Sequence, residues 1–433
     1  MTSTMTTAPR RWIGLVGLAA TAALVLAACA PPQAAEPEPD AGGGTEAAVS
    51  ETLKVGYISP VTGNFAVAGQ EMVDGWNLYW ELNGNEVNGV TVETIVEDDA
   101  GNPEISLTKA AKLVEQDEVD VLVGPLLANT ALAVAEYAES VGVPNLHPVA
   151  ASDDLTQRNA NGLTVRTGSM GGSQANYPGG EWAATEGGFD TAVTLCADYA
   201  FGWESCAGFV QGFQDNGGEV VEQLWFPNST TDFSTYVSQI QAAGADMVYV
   251  ATAGGAPGPN FLTSYLGLGL DMDKLLLNCC AADQGTLRAM GDQIVGLKSV
   301  SYWAEGRESE AVAELIEAYK EFSGGNVPGA YIAGGYITAS LVASVLEEQG
   351  YLTGEELVSA ITESTFEDNI FGRVSFDEYN NTVGPVYIRE VVKRDDGNLY
   401  NTPIATYEDV DQWFGQDPEE ALQQPNYSQD FQG

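Results

Sequence analysis

Residues 119–152 read VDVLVGPLLANTALAVAEYAESVGVPNLHPVAAS. The apolar run VDVLVGP (119–125) ends on Gly-Pro, a helical stretch follows over 129–141, and VGVPNLH (141–147) is a second apolar run. Short apolar runs bounded by turn residues, with one helix between them, predict two parallel strands joined by a crossover. The loops that follow the strands are GPLLANT (124–130) and PVAAS (148–152). The second loop offers small side chains and one serine, and Asp153-Asp154 come next.

The alternation continues on both sides. LKVGYI (53–58) precedes a helical stretch around 66–83, and VTVETIVEDD (90–99) leads into 104–117, where Leu107, Ala111 and Val114 recur at helical spacing. Repeated units of this kind imply a parallel, doubly wound α/β sheet with helices on both faces. A second series begins near 190. TAVTLC (191–196) precedes a helix over 203–215, EVVEQLWF (219–226) one at 232–243, and ADMVYVATA (245–253) and KLLLNCC (274–280) add two strands. The polar, Gly-rich stretch between the series, Gly168–Gly172 with Gly179-Gly180, reads as a connection. Helical sequence returns at 308–322 and 330–349, and β-like runs at 372–376 and 385–393 come last. Two α/β lobes that share the late segments are the simplest architecture. In open parallel sheets ligands bind beyond the carboxyl ends of the strands, where helix N-termini offer unpaired N–H groups. The loops concerned are SPVTGNF (59–65), GPLLANT, PVAAS, DYAFG (198–202) and TAGGAP (252–257), and two lobes would set them face to face across a cleft.

Composition excludes several functions. The chain has 433 residues, 44% hydrophobic, with 16 Lys+Arg against 61 Asp+Glu and one histidine. Nucleic-acid binding needs clustered cations to neutralise phosphates, and adhesion to anionic lipid needs the same. So acidic a surface reads as solvated and soluble. Residues 1–28 are read as a leader outside the fold: Arg10 and Arg11 precede an uncharged apolar stretch, Trp12–Ala28, rich in Ala and Gly. It runs into Leu26-Ala27-Ala28-Cys29, which resembles the bacterial lipobox, whose cysteine is diacylated and becomes the new N-terminus. Residues 29–51 then form a lipid-anchored, flexible linker rich in Pro, Gly, Ala and Glu. Whether Arg10-Arg11 serve general or twin-arginine export stays open.

Cys196, Cys206, Cys279 and Cys280 remain in the body. Their spacing matches no zinc pattern, and export permits disulfides, such as Cys196–Cys206. Four cysteines allow three pairings, and the sequence does not choose. His147, the lone histidine, reads as structural rather than as a metal ligand or pH switch. Asp98-Asp99 and Asp153-Asp154 read as capping or loop solvation. There is no GxSxG, HExxH, paired CxxC or phosphate-loop motif. No catalytic residue, cofactor or metal is expected.

The loops, taken in order, resemble those of type I periplasmic solute-binding proteins, in particular the Leu/Ile/Val-binding branch that serves ABC importers. The matching stretches are LKVGYISPVTGNFAVAGQEMVDGWNLYWELNG (53–84), LVEQDEVDVLVGPLLANTALAVAEYAESVGVPNLHPVAASDDLT (113–156), DYAFGWESCAGFVQGFQDNGGEVV (198–221), TTDFSTYVSQIQAAGADMVYVATAGG (230–255) and GRVSFDEYNN (372–381). They span roughly residues 52–400. The resemblance implies two doubly wound parallel-sheet lobes on a multi-strand hinge, closing on a small ligand and docking on a permease with its ATPase subunits. It divides the chain into an N-terminal lobe (52–168 and 303–373), a C-terminal lobe (169–302 and 374–415) and a tail (416–433).

Carried over position by position, it places the ligand against Phe65, Ala128, Asn129, Thr130, Val149, Ala150, Ala151, Ser152, Phe201, Gly254, Cys280 and Trp303. Several of these depart from the amino-acid binders. Ala128 and Ala151 stand where those members commonly offer hydroxyls. Phe201 lacks a tyrosine hydroxyl, and the acid that grips the ligand ammonium falls near Cys280. Each lost charge-assisted hydrogen bond weakens zwitterion binding by about 1.5–3 kcal/mol. Asp283 is the one acid placed to shift in. Without it the cleft suits an aromatic or otherwise unsaturated carboxylate, held by backbone N–H groups at 128–130 and 150–152 and by Phe65, Phe201, Tyr302, Trp303 and Tyr331. The expected function is thus an exported, lipid-anchored, non-enzymatic receptor for an amino-acid-like or aromatic carboxylate. The alternatives are a sensor lobe for a signalling partner, or a secreted hydrolase or amidase.

Overall fold

A computed structural model describes residues 51–428. The leader, Cys29 and the linker up to residue 50 lie outside the described residues. The elements run β1 (Glu51–Ser59), α1 (Ala66–Asn83), β2 (Glu86–Val87), β3 (Val90–Asp98), α2 (Pro103–Glu115), β4 (Val121–Val123), α3 (Ala128–Val141), β5 (Asn145–His147) and β6 (Thr164–Arg166). They form a sheet of order β2-β3-β1-β4-β5-β6, parallel except for β2. Local sequence sets these boundaries. Asn102 caps α2, its Oδ1 accepting from the N–H of Glu104 (2.9 Å) and Ile105 (3.1 Å), with Pro103 at the first helical position. Gly142 ends α3 in the left-handed region, at φ 74°.

The second half runs α4 (Gly172–Ala184), β7 (Thr191–Ala197), α5 (Ala200–Asp215), β8 (Glu219–Phe226), α6 (Ser234–Ala243), β9 (Met247–Ala251), α7 (Pro257–Gly267), β10 (Leu275–Leu277), α8 (Gln284–Met290) and β11 (Lys298–Ser301). After these come α9 (Glu310–Ser323), α10 (Ala330–Gln349), α11 (Gly354–Thr362), β12 (Phe366–Asn369), β13 (Gly372–Phe376), β14 (Thr382–Lys393), β15 (Leu399–Val410) and α12 (Pro418–Ala421). The second sheet has the order β12-β13-β14-β11-β10-β9-β7-β8, with β15 on β14. Strands β7 to β11 pair in parallel, whereas β12 to β15 pair antiparallel. The fold class is therefore α/β in two lobes, with one correction: the second sheet is mixed. The chain passes between the lobes after β6, after β11 and after α11.

The Gly-rich stretch read as a connection is largely the helix α4, with Pro178 inside it. Its glycines serve close packing. A Cβ at Gly180 would stand 2.1 Å from the carbonyl oxygen of Phe209. From the facing helix, Cβ atoms at Gly208 and Gly212 would stand 2.1 Å from those of Ser173 and Tyr177. Helices α1 and α10 meet in the same way: a Cβ at Gly75 would lie 2.1 Å from Ile332 O, and one at Gly335 2.1 Å from Met72 O. Helix α10 is apolar enough to cross a membrane by length and composition, but most of it is buried in the core. That core runs across both lobes, from Leu78 and Ile337 to Phe209, Tyr249 and Val386. Each large apolar side chain there contributes about 2 kcal/mol. A disulfide joins Cys196 on β7 to Cys206 on α5, and Cys279 and Cys280 are free. Residues after β15 touch both lobes: Asn426 donates to Asp154 Oδ2 (2.6 Å), Gln424 O accepts from Arg158 (2.6 Å), and the Tyr427 hydroxyl donates to Gln223 (2.5 Å).

Candidate functional site

The loops after β1, β4 and β5 face those after β7, β9, β10 and β11 around one cavity, with about 590 Å³ of space free of atoms, open solvent at its mouth included. From the first lobe come Phe65, Leu127, Ala128, Val149 and Ala151; from the second come Asn176, Tyr199, Phe201, Gly254, Cys279 and Cys280. Tyr302 and Tyr331 add two rings. Among the described residues, no Asp, Glu, Lys, Arg or His lines this space.

Three helices open on the cavity from residues whose own side chains do not cap them: α3 behind Leu127, α4 behind Gly171 and α5 behind Tyr199. The first N–H groups of a helix have no intrahelical partner, and the dipole places about half a positive charge there. In α4 they are already engaged, because Gly172 N donates to Ala151 O (2.7 Å) and Ser173 N to Asp153 Oδ1 (3.2 Å). The N-termini of α3 and α5, one from each lobe, are thus the positive ends the cavity presents. The Tyr199, Tyr302 and Tyr331 phenols are pushed up by burial, so they act as neutral donors. A Cβ at Gly254 would stand 2.0 Å from the Tyr331 hydroxyl, so a side chain there would push that ring aside. Asn176 is internally satisfied: Nδ2 donates to Gly172 O (2.8 Å) and Oδ1 accepts from Tyr249 (2.7 Å).

Phe65, Ala128, Val149, Ala151, Phe201, Gly254 and Cys280 are therefore brought together, whereas five residues expected beside them are not. Asn129 faces solvent from the outer side of α3. The buried Thr130 hydroxyl donates to Leu127 O (2.8 Å). Ala150 packs among Ala131, Ala135 and Leu155. Ser152 donates to Glu204 Oε1 (3.1 Å), across to the other lobe. Trp303 is fully buried against Phe371, and its neighbour Tyr302 reaches the cavity instead. Asp283 does not shift in. It accepts from Ala330 N (2.9 Å) at the start of α10.

The sequence reading missed Met170, Gly171, Gly172, Ala175 and Asn176, all at the head of α4, because that stretch was taken as a connector. The helix-forming run after it, Glu181-Trp182-Ala183-Ala184, was the available signal.

Behind the PVAAS loop lies a charged cluster. Arg166 is fully buried, and its guanidinium donates to Ala150 O, to Ser152 O (2.5 Å), to Thr156 Oγ1 (3.2 Å) and to Asn381 Oδ1 (2.8 Å). Burial pushes the carboxyl of Asp153 up to about 6 and that of Glu204 well up. His147 pairs in register with Arg166 and is fully buried, and neither nitrogen of its imidazole has a hydrogen-bond partner. Burial, and then Arg166, push its imidazole from 6.5 down to about 3. Folded protein therefore keeps His147 neutral while the unfolded chain takes up a proton below pH 6.5, so acidification favours unfolding. At pH 5 this contribution costs about 2 kcal/mol relative to pH 7. Urea unfolding of His147→Phe should lack that loss between pH 7 and 5. Equal losses in both proteins would remove His147 from the acid limb.

The chain matches the family model for periplasmic binding protein over residues 52–398. It is 27% identical over 367 residues to a Leu/Ile/Val-binding protein homolog 6 of Brucella melitensis, spanning 84% of this chain and 93% of the relative. Among solved structures it is 32% identical, with a TM-score of 0.77, to a solute-binding protein of an ABC transporter from Rhodopseudomonas palustris in complex with 3,4-dihydroxybenzoic acid. That alignment covers 83% of this chain and 98% of the other. A second solute-binding protein from the same species, in complex with 4-hydroxybenzoate, is 28% identical at a TM-score of 0.77, over 84% of this chain and 99% of the other.

Proposed function

The chain belongs to the periplasmic binding protein family, and from that membership we propose that it captures a small aromatic carboxylate and hands it to an ABC permease driven by ATPase subunits. It is an extracytoplasmic solute-binding protein of the ABC-transporter kind and not an enzyme. In this reading Cys29 carries the lipid and residues 30–50 form the tether, so the membrane is met through the N-terminus alone.

One observation carries the ligand class: the cavity is lined mainly by aromatic and apolar residues, with Asn176 already satisfied internally, and by no carboxylate. An α-ammonium group would lose its water and find no counter-charge, at a cost of several kcal/mol. A benzoate-like anion meets the N-termini of α3 and α5 with its carboxylate and Phe65, Phe201 and Tyr302 with its ring. The phenols of Tyr199 and Tyr331 suit ring hydroxyls. Complexes of the similar R. palustris proteins with hydroxybenzoates support the same class.

Calorimetric titration tests this directly. 4-Hydroxybenzoate should bind at micromolar Kd or tighter, and leucine, isoleucine and valine should release no binding heat. Tight binding of any of the three amino acids would overturn the proposal. Phe201→Ala should weaken 4-hydroxybenzoate by about tenfold to a hundredfold, from lost ring contact and burial, with unchanged far-UV circular dichroism. Equal affinity would take Phe201 out of the site.

A further inference from the structure

Cys279 and Cys280 are consecutive, both free, and both part of the cavity wall, with their sulfurs 3.2 Å apart. A disulfide bond is about 2.05 Å long, so closure must draw the sulfurs about 1.2 Å nearer. Neighbouring Cα atoms lie about 3.8 Å apart, closer than in ordinary disulfides, so the eight-membered ring is strained and readily reduced. Adjacent side chains usually diverge. Here the turn after β10 brings them together, and buried Asn278 holds it from below: its Oδ1 accepts from Ala281 N (3.0 Å) and Thr252 N (3.3 Å), and its Nδ2 donates to Thr252 O (3.1 Å).

We propose that Cys279 and Cys280 form a reversible vicinal disulfide in the wall of the ligand cavity, with a small-molecule or protein disulfide as oxidant. The Cys279 sulfur attacks one oxidant sulfur and displaces the first thiolate. The Cys280 sulfur then attacks Cys279 in the mixed disulfide and displaces the second. Two cysteine S–H bonds are lost, one S–S bond forms, and the oxidant's S–S bond becomes two thiols. The hydrogen bond from Cys280 holds the Cys279 thiol below its ordinary value while Cys280 is pushed up, which favours Cys279 as the first nucleophile, although Cys280 is the more exposed of the two. Closure removes two S–H donors from the cavity wall. The oxidised cavity is therefore less polar on the face that Gly254 and Tyr331 share. That effect on the ligand rests on the function proposed above, whereas the disulfide itself does not.

The test treats the full chain with oxidised glutathione, alkylates remaining thiols and reads the tryptic peptide spanning residues 275–288 by mass spectrometry. The expected peptide is unalkylated and lighter than the dithiol form by two hydrogens, and dithiothreitol should restore two alkylation sites. Two alkyl groups after oxidation, or a stable glutathione adduct, would overturn the disulfide. Affinity for 4-hydroxybenzoate should change by about tenfold or more on oxidation and not at all when Cys279→Ser and Cys280→Ser are introduced together. A closed peptide with unchanged affinity would overturn the effect on the cavity. Absence of binding in both states alongside a closed peptide would count against the ligand class and leave the disulfide standing.

Discussion

Replacing Arg166 with alanine should lower the stability of the folded protein by about 3–5 kcal/mol, measured by urea unfolding at pH 7. The guanidinium is fully buried at the end of β6 and hydrogen-bonds two carbonyls of the PVAAS loop, Thr156 and Asn381. Its removal leaves the carbonyls of Ala150 and Ser152 without that donor, at about 1–3 kcal/mol each. It also leaves Asp153, Glu204 and Asp377 without the cation they share. Arg166→Lys should restore little, because an ammonium cannot reproduce the planar fork that reaches separate acceptors. A loss below about 1 kcal/mol for Arg166→Ala would show that the loop is held by other contacts.

The largest effect on binding should come from Ala128→Asp. Ala128 is the first residue of α3, lines the cavity and is 4% exposed. A carboxylate there sits where the helix N-terminus would otherwise receive the ligand's own. Two like charges about 5 Å apart at an effective dielectric near 20 repel by about 3 kcal/mol, so 4-hydroxybenzoate should bind roughly a hundredfold more weakly. Burying the new carboxylate costs more than the helix gains from an acid in its first turn, about 0.3–1 kcal/mol, so urea unfolding should show some loss of stability while far-UV circular dichroism stays unchanged. Ala128→Ser, similar in size and uncharged, should bind within a few-fold of the parent. Undiminished affinity in Ala128→Asp would move the anion away from α3.

Much of this fold is legible where apolar runs and helical spacing are strong. LKVGYI lies within β1, the helix expected around 66–83 is α1, and 330–349 is α10. What escaped was α4, because Gly179-Gly180 and Pro178 are weak helix formers that only a neighbouring backbone justifies. The antiparallel turn of the second sheet escaped too, since a strand's partner and direction are set by distant residues. The site was legible at the level of loops and less so at single positions. Along a strand end successive side chains alternate, so a shift of one residue exchanges Tyr302 for Trp303 and core for cavity. Hydroxyls at Thr130 and Ser152 looked available in sequence and are engaged in structure, the first by its own helix and the second by Glu204. The cation behind the loop, Arg166, carries no local signal. Its role comes from β6 lying beside β5.

The glycine contacts of α1 with α10, and of α4 with α5, have a consequence for divergence. At Gly75, Gly180, Gly208, Gly212 and Gly335 any side chain collides with a carbonyl, so descent can hardly vary these positions. Cavity positions such as Phe65, Ala128 and Cys280 lie on loops or helix starts, where a new side chain changes which molecule is held without changing how the lobes are built. Lineages that share this frame can thus part ways in diet by a handful of replacements.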